Sequence, residues 1–215
     1  EIITGKGSVK AIDTTGKIIL ADKIIYNKSK EFLTSEGNVN ITNSKGNNLV
    51  TEKATYDKIN GIIKTYENAE IRLNESYKLL SKNIIYDVEK KIISSKHDSI
   101  LKDGDGNVIE TTMFQYNIND SLFSSLGLIK IIDINKNRYF FKEFHADTSK
   151  KEMIGSDVSV VLDQKNFGVS EESDPRFVAN DIFASKDKLN LSKGVFTVCK
   201  KRDGKCPPWS IKAKK

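Results

Sequence analysis

The feature that most constrains this chain is an internal repeat with a step of 30 residues. A fixed step between similar residues is the signature of a repeat architecture, in which neighbouring units supply each other's core. The in-phase columns are Tyr26, Tyr56, Tyr86 and Tyr116; Asn27, Asp57, Asp87 and Asn117; Ile24, Ala54, Ile84 and Phe114; Ile3, Leu33, Ile63, Ile93 and Phe123; Val9, Val39, Ala69, Ser99 and Ile129; and Ile41, Ile71, Leu101 and Ile131. Six columns in phase predict a stack of similar units.

Within each unit, apolar and polar residues alternate, as in a strand with one buried face. Residues 33, 35, 37, 39 and 41 (Leu, Ser, Gly, Val, Ile) share one parity, and polar residues occupy 34, 36, 38 and 40. Gly16, Gly46 and Gly106 mark one turn, and Asn60-Gly61 marks the other. Each unit therefore predicts two long strands and two turns, and the chain is expected to be all-β.

The repeat becomes irregular after Asp147. Met153 to Leu162 still alternates, but the columns lose their alignment. The polar stretch 164–176 is predicted to be a loop, and Ala179-Asn180-Asp181-Ile182 is predicted to begin a last unit that runs through Gly194-Val195-Phe196. Cys206-Pro207-Pro208-Trp209 ends any strand, after which Ser210 to Ala213 can start another.

Composition narrows the classes of partner. Apolar residues make up 38% of the chain and charged residues 30%, as in a thin β structure with much of each strand in water. The net charge of +6 favours anionic partners, but the lysines are scattered, which argues against nucleic acid. The chain contains neither a signal peptide nor an apolar run of about 18 residues. We therefore expect a mature or trimmed fragment.

Two motifs resemble catalytic or metal sites, and simpler interpretations fit both. In His97-Asp98-Ser99, neighbouring side chains on a strand would point to opposite faces, so they could not form a relay. His97 and His145 are too far apart in the chain to suggest a metal site. Asp103 to Asn107 resembles the start of a calcium loop but lacks its later glycine and glutamate, and it coincides with the turn column. We expect no catalytic residue, no metal and no cofactor.

The repeat resembles the OstA family of lipopolysaccharide-transport proteins. The matching motif is Ala21-Asp22-Lys23-Ile24-Ile25-Tyr26-Asn27, followed by Leu33-Thr34-Ser35-Glu36-Gly37-Asn38-Val39-Asn40-Ile41. The similarity covers residues 1–162, although Ser76 and Lys82 depart from the family's usual glycine and acid. The tail, Val195 to Cys199 and then Cys206 to Ala213, is similar to the junction between the N-terminal domain and the barrel of the family's outer-membrane member.

This resemblance implies an OstA-like β-jelly roll, a V-shaped stack of antiparallel strands, over residues 1–198, and a junction over 199–215. It implies lipopolysaccharide transport on the periplasmic side of the outer membrane, with acyl chains held in an apolar interior. The implied partners are lipopolysaccharide, a periplasmic bridge protein of the same fold joined by edge-strand addition, and a lipoprotein plug in the barrel. Family members link this domain to the barrel by disulfides, which makes Cys199 and Cys206 disulfide candidates.

The predicted lipid-binding residues are the apolar and tyrosine columns: Val9, Ile24, Tyr26, Leu33, Val39, Ile41, Ala54, Tyr56, Ile63, Ala69, Ile71, Ile84, Tyr86, Ile93, Leu101, Phe114, Tyr116, Phe123, Ile129 and Ile131. Packing between strands is the simpler role for the tyrosines. Three other functions remain open: the soluble bridge protein of the pathway, a β-helix enzyme acting on polysaccharide, and a structural β-solenoid such as an adhesin stalk with a dry core.

Overall fold

The computed structural model describes residues 1–14, 16–73, 76–202, 205 and 207–213, with residue 126 described by its backbone. The described residues form 18 strands and one short helix, so the chain is all-β, as predicted. Contacts divide it into two compact units. Unit 1 comprises residues 1–104 and 113–119, and unit 2 comprises 105–112 and 120–215. The predicted boundary at residue 198 stays a prediction.

Unit 1 is an antiparallel array in which each of the first strands pairs with the next along the chain. Its strands are β1 (Ile2–Ile12), β2 (Ile18–Asn27), β3 (Phe32–Thr42), β4 (Asn48–Asp57), β5 (Ile62–Leu73), β6 (Tyr77–Lys82), β7 (Ile85–Asp87), β8 (Ile92–Ser95), β9 (Ser99–Lys102) and β11 (Phe114–Asn117). Strand β5 pairs with both β6 and β7, which in turn pair with β9 and β8, and β8 pairs with β11. Two long strands per repeat are present from β1 to β4, whereas β6 to β9 are short strands that divide the later repeat positions.

Unit 2 continues the antiparallel pattern and includes the chain's short helix. Its elements are β10 (Val108–Thr111), β12 (Leu122–Ile132), β13 (Arg138–Asp147), β14 (Glu152–Val161), α1 (Gln164–Phe167), β15 (Arg176–Ala184), β16 (Leu189–Ser192), β17 (Val195–Thr197) and β18 (Ile211–Lys212). The strand predicted after Trp209 is β18, which pairs with β17. The stretch 164–176 was expected to be only a loop, but it begins with one helical turn, capped by the Asp163 side chain.

Turns recur at the predicted step, and short polar side chains stabilise them. The residue after each column tyrosine accepts backbone N–H groups of the following turn through its side-chain oxygen. Asn27 Oδ1 accepts from Lys30 N, Asp57 Oδ1 from Asn60 N, and Asp87 Oδ1 from Lys90 N. Asp147 holds the equivalent turn of unit 2, where the hydroxyl of Ser149 and the amide of Lys150 keep the pKa of its carboxyl far below the usual range. The Asn/Asp column is therefore a column of turn residues.

A two-residue bulge interrupts the first long strand of most repeats. Gly7-Ser8, Gly37-Asn38, Glu67-Asn68 and Gly127-Leu128 each bulge where the paired strand runs on with fewer residues. Ser35 and Val39, on either side of Gly37-Asn38, are both fully buried, and Gly37 itself is half-buried with a φ of 74° in the bulge. The equivalent position 97 lies in the break between β8 and β9, so His97 is not on a strand, contrary to our expectation.

The same bulge explains the irregular register after Asp147. The step of 30 still holds from Ser125 to Gly155, but it shrinks to 29 between Ile129 and Val158, both of which are buried. In β14 residues 156–158 face three residues of β15 one to one, so this strand has lost one bulge residue. Ala179 and Ile182, in the predicted last unit, are buried, as are their earlier counterparts Ala21 and Ile24.

A turn of unit 2 contains a tyrosine whose ionisation is strongly perturbed. Tyr139 donates its hydroxyl to Asp133 Oδ2 at 2.9 Å, and Asp133 Oδ1 accepts the backbone N–H of Asn137. Burial of the ring, followed by the hydrogen bond to Asp133 and its charge, raises the pKa of Tyr139 to about 12. The phenol is therefore held neutral where an unfolded tyrosine, with a pKa of 10.0, already ionises.

This perturbation predicts a loss of stability in alkali. Because the folded pKa lies above the unfolded one, the contribution is complete below about pH 10 and is lost as the pH rises through about 12. Tyr139→Phe should remove the part of the decline in the free energy of unfolding between about pH 10 and pH 12 that this tyrosine causes. Urea unfolding at a series of pH values, followed by fluorescence of the single tryptophan, Trp209, measures it. An unchanged slope in the variant would show that the Tyr139–Asp133 contact does not couple to folding.

Candidate functional site

The candidate site is the interior face of unit 1, which its strands build by alternation. Ile24, Val39 and Ala54 form one core cluster together with Ile19 and Ala21. The predicted residues Val9, Leu33 and Ile41 pack against this cluster while remaining half-buried.

The predicted residues all lie at buried or half-buried positions. Those that are buried are Ile24, Val39, Ala54, Ile63, Ala69, Ile71, Ile84, Ile93, Phe114, Phe123 and Ile129, and those that are half-buried are Val9, Tyr26, Leu33, Ile41, Tyr56, Tyr86, Leu101, Tyr116 and Ile131. Phe123, Ile129 and Ile131 belong to unit 2, and the others belong to unit 1. This burial establishes interior positions, and lipid binding stays a prediction.

Unit 1 contains a narrow apolar crevice on this face, and we call it the Ser35 crevice. Its lining is Lys17, Ile19, Leu33, Ser35, Ile41, Ala54, Thr55, Tyr56 and Ile63, five of which were predicted lipid-binding residues. The cavity measures about 10 Å³. This volume is close to the roughly 10–15 Å³ that one water molecule needs, so the crevice is nearly closed in this conformation.

A cation lies at the more exposed end of the Ser35 crevice. Lys17 Nζ lies 5.0 Å from the centroid of the Tyr56 ring and 3.6 Å from Asp13 Oδ2. A lysine over an aromatic face gains electrostatic energy while its methylene stem covers apolar surface. The crevice therefore combines apolar walls with a lysine ammonium group that Asp13 already pairs, so an anionic head group would have to compete with Asp13 for Lys17.

Lys23 and Lys53 lie on the opposite face and, like Lys17, are paired with a carboxylate. Glu36 Oε2 lies 3.2 Å from Lys23 Nζ, and Glu36 Oε1 lies 2.8 Å from Lys53 Nζ. The hydrogen bonds from Lys53 and then Lys23 lower the pKa of Glu36. These exposed pairs stabilise little, since solvent screens them. The charges of Lys23, Lys53 and Glu36 therefore compensate one another on the outward face. Lys17 is the lysine among the crevice-lining residues.

The sequence analysis missed two columns of small hydroxyl residues that lie beside the bulges. Position 21 and its equivalents carry Ala21, Thr51, Ser81 and Thr111, and position 35 and its equivalents carry Ser35, Thr65, Ser95 and Ser125; all are buried. The same step of 30 could have identified them, but serine and threonine at buried positions do not register in a search for apolar columns. Ile19 with Leu79 was missed as well, although both are apolar and in phase.

The hydroxyls compensate for backbone hydrogen bonds that the bulges and strand breaks interrupt. Thr51 Oγ1 donates to Asn68 O at 2.9 Å, and Thr65 Oγ1 accepts from Ile84 N at 2.8 Å. Ser95 Oγ donates to Lys82 O at 2.7 Å. Thr111 and Ser125 share a hydrogen bond between their side chains at 2.5 Å. Buried backbone groups need such partners, so these columns are structural in origin.

A second, larger cavity lies in unit 2, away from the predicted residues. It has a volume of about 430 Å³, and Lys136, Arg138, Asp163 and Asp174 lie among its lining residues. Two cations and two carboxylates balance each other there, so its charge selects neither an anion nor a cation. The larger of the two cavities therefore does not lie on the face predicted to bind lipid.

The candidate chemical motifs do not assemble a reactive site. Ser99 Oγ donates to His97 O, the backbone carbonyl, and also contacts Ser81 Oγ. The ring of His97 instead lies 3.1 Å from Asn83 Nδ2. Among the described residues, no group of three or more His, Cys, Asp or Glu side chains is placed to hold a metal ion.

Cys199 carries a free thiol among the described residues, and Cys206 lies outside them. The thiol lies 3.8 Å from Trp209 O. The pKa of Cys199 is lowered, chiefly by the hydrogen bond with the Thr197 hydroxyl. That Cys199 and Cys206 take part in disulfides stays a prediction.

Comparison with known proteins provides no assignment. The chain matches no family model and no curated protein. None of the helices in the described ranges has the length and apolar character needed to span a bilayer.

Proposed function

We propose that this chain is a lipid-conduit domain of lipopolysaccharide transport, acting on the periplasmic side of the outer membrane. In this proposal its repeats form an OstA-like β-jelly roll of V-shaped, stacked antiparallel strands, and acyl chains lie against the interior columns. The observation that supports it is that the predicted columns are buried or half-buried and that five of their residues line one apolar crevice beside Lys17. The resemblance of the motif to the OstA family suggests the identity of the lipid.

Binding of an acyl chain would require the Ser35 crevice to widen. Each buried methylene contributes about 0.8 kcal/mol, so a chain of moderate length can offset the separation of several side-chain contacts. Leu33, Ile41 and Tyr56 are half-buried and line the crevice, and we infer that they move apart. Loading is then coupled to the opening of unit 1.

A dry structural β-solenoid is the second candidate, and the volume of the crevice favours it. A cavity of about 10 Å³ holds no lipid in this conformation. Such a module would use the same columns only for packing between repeats. The two functions predict opposite results for lipid capture from the interior face, so one experiment separates them.

The test is photocrosslinking to purified lipopolysaccharide from a photoreactive residue at position 56. Tyr56 lines the crevice, and Thr34, the matched control, lies on the opposite face of its neighbouring strand. We expect capture at position 56 and none at 34. Capture at neither position would favour the dry solenoid, and capture at both would indicate surface adhesion driven by the positive charge.

The proposed partners follow from the edges of the structure. Strand β1 has 11 residues and pairs with β2, and Ile2 and Ile3 on it are exposed. A long edge strand with apolar side chains can accept a strand of another protein. We propose that the bridge protein of the pathway joins by such edge pairing and that residues 199–215 lead to the barrel and its lipoprotein plug.

A further inference from the structure

One hydroxyl of the interior columns differs from its equivalents. Ser35 has no exposed surface, and its Oγ has no hydrogen-bond partner among the described residues. Its equivalents 30, 60 and 90 residues later, Thr65, Ser95 and Ser125, all have partners. A buried hydroxyl without a partner costs roughly 1–3 kcal/mol. The free hydroxyl of Ser35 is therefore an exception that requires a physical reason.

The equivalents of Ser35 are satisfied in two ways, and Ser35 has neither. Thr111, which corresponds to Ala21 three repeats earlier, provides the hydroxyl that bonds Ser125 at 2.5 Å, whereas Ala21 has only a methyl group. Thr65 and Ser95 bond the backbone groups Ile84 N and Lys82 O instead. Ser35 Oγ has no partner of either kind among the described residues. This unpaired hydroxyl occurs in the repeat whose interior contains the Ser35 crevice.

The surroundings of Ser35 define what could satisfy it. Apolar side chains dominate the crevice wall, among them Ile19, Leu33, Ile41 and Ile63. Lys17 adds an ammonium group over the Tyr56 ring, which Asp13 pairs at 3.6 Å and for which an anionic ligand group would compete. A complementary ligand has an anionic group for Lys17, a hydrocarbon chain for the walls, and one oxygen within the chain for Ser35.

We propose that Ser35 is a polar anchor that makes the crevice select hydroxylated acyl chains over plain ones. This inference rests on the proposed lipid-binding function and specifies its substrate class. The hydroxyl of such a chain supplies the partner that Ser35 lacks. Plain acyl chains bury the same hydrocarbon but leave Ser35 unpaired, so they bind more weakly.

The experiment compares β-hydroxymyristate with myristate, both below their micellar concentration, binding to the full chain in titration calorimetry. For the unmodified chain we expect about five-fold tighter binding of the hydroxylated chain, which corresponds to one neutral hydrogen bond. Ser35→Ala should abolish the preference. Ala21→Ser should abolish it too, because the new hydroxyl occupies Ser35 as Thr111 occupies Ser125.

Thr34→Ala is the matched control, since Thr34 lies next in sequence but on the opposite face, and it should keep the preference. Equal affinities of the unmodified chain for the two probes would overturn the anchor and leave lipid binding intact. Persistence of the preference in Ser35→Ala would overturn it as well, by assigning the selection to another group. Binding of neither probe would instead refute the proposed function on which the anchor rests.

Discussion

Gly155→Ser is expected to destabilise unit 2 by about 3 kcal/mol, at the upper end of the cost of overpacking a core. A Cβ at Gly155 would lie 2.8 Å from Phe141 Cε1 and closer still to Phe141 Cδ1. Phe141 has little freedom to move, because it is almost fully buried and its ring centroid lies 5.2 Å from that of Phe144. The added atoms therefore cannot be accommodated by a simple rotation.

The repeat explains why glycine and phenylalanine meet here. Positions 141 and 155 follow Thr111 and Ser125 by one step, and that earlier pair is two small hydroxyl residues joined by a hydrogen bond. In the later repeat one member has become large and the other has lost its side chain, so the pair fills the interior differently. A matched exchange is therefore available within the chain itself.

Phe141→Thr alone should cost about 3–5 kcal/mol, as for other large-to-small core substitutions. Combining it with Gly155→Ser recreates the Thr111–Ser125 pair, so the double variant should be more stable than the sum of the two single effects predicts, by about 2 kcal/mol. Denaturant unfolding followed by Trp209 fluorescence reports on unit 2. Strictly additive effects would mean that the two positions do not share one packing site.

The fold was predictable from the sequence where each repeat position keeps its residue class. Tyrosine, isoleucine and valine at a step of 30 predicted the strands and their interior face. The register beyond Asp147 was harder to follow, because Phe141 and Gly155 replace hydroxyl residues and β14 lacks one bulge residue. A change of residue class and a change of step together conceal a repeat that the backbone preserves.

The candidate site was predictable only as a set of apolar positions. Its polar features depend on contacts between different strands, such as Lys17 over the ring of Tyr56. Whether a hydroxyl of the Ser35 column has a partner depends on groups of other strands, such as Ile84 N for Thr65 and the Thr111 hydroxyl for Ser125. Periodicity reveals which residues share a face, but it does not reveal which buried hydroxyl lacks a hydrogen-bond partner.

Gly37→Ala is expected to destabilise unit 1 by about 3 kcal/mol, for two separable reasons. Gly37 has a φ of 74°, where an L-residue with a side chain costs roughly 1–2 kcal/mol. A Cβ there would also lie 2.9 Å from Asp22 Cβ and nearer to Asp22 Oδ2. Displacing that carboxylate breaks its hydrogen bond with Asn38 Nδ2, now 2.9 Å long. Asp22 on β2 and Gly37-Asn38 on β3, all part of the repeat motif, therefore contact each other across the two strands.

Gly7→Ala supplies the matched control, because Gly7 is the same bulge residue one repeat earlier. Its φ is 78°, but a Cβ there would meet nothing within 4 Å. It should therefore show the backbone strain without the collision and cost only about 1 kcal/mol. Glu67, with a φ of 62° at the next equivalent position, shows that this bulge accommodates a side chain when space permits.

The two contributions can be separated by removing the obstructing carboxylate. Asp22→Ala should make Gly37→Ala no more costly than Gly7→Ala, as measured by denaturant unfolding followed by far-ultraviolet circular dichroism. If Gly37→Ala and Gly7→Ala destabilise equally in the unmodified background, backbone strain alone accounts for the glycine. If Gly37→Ala remains the more costly in the Asp22→Ala background, a contact other than the one with Asp22 restricts the bulge.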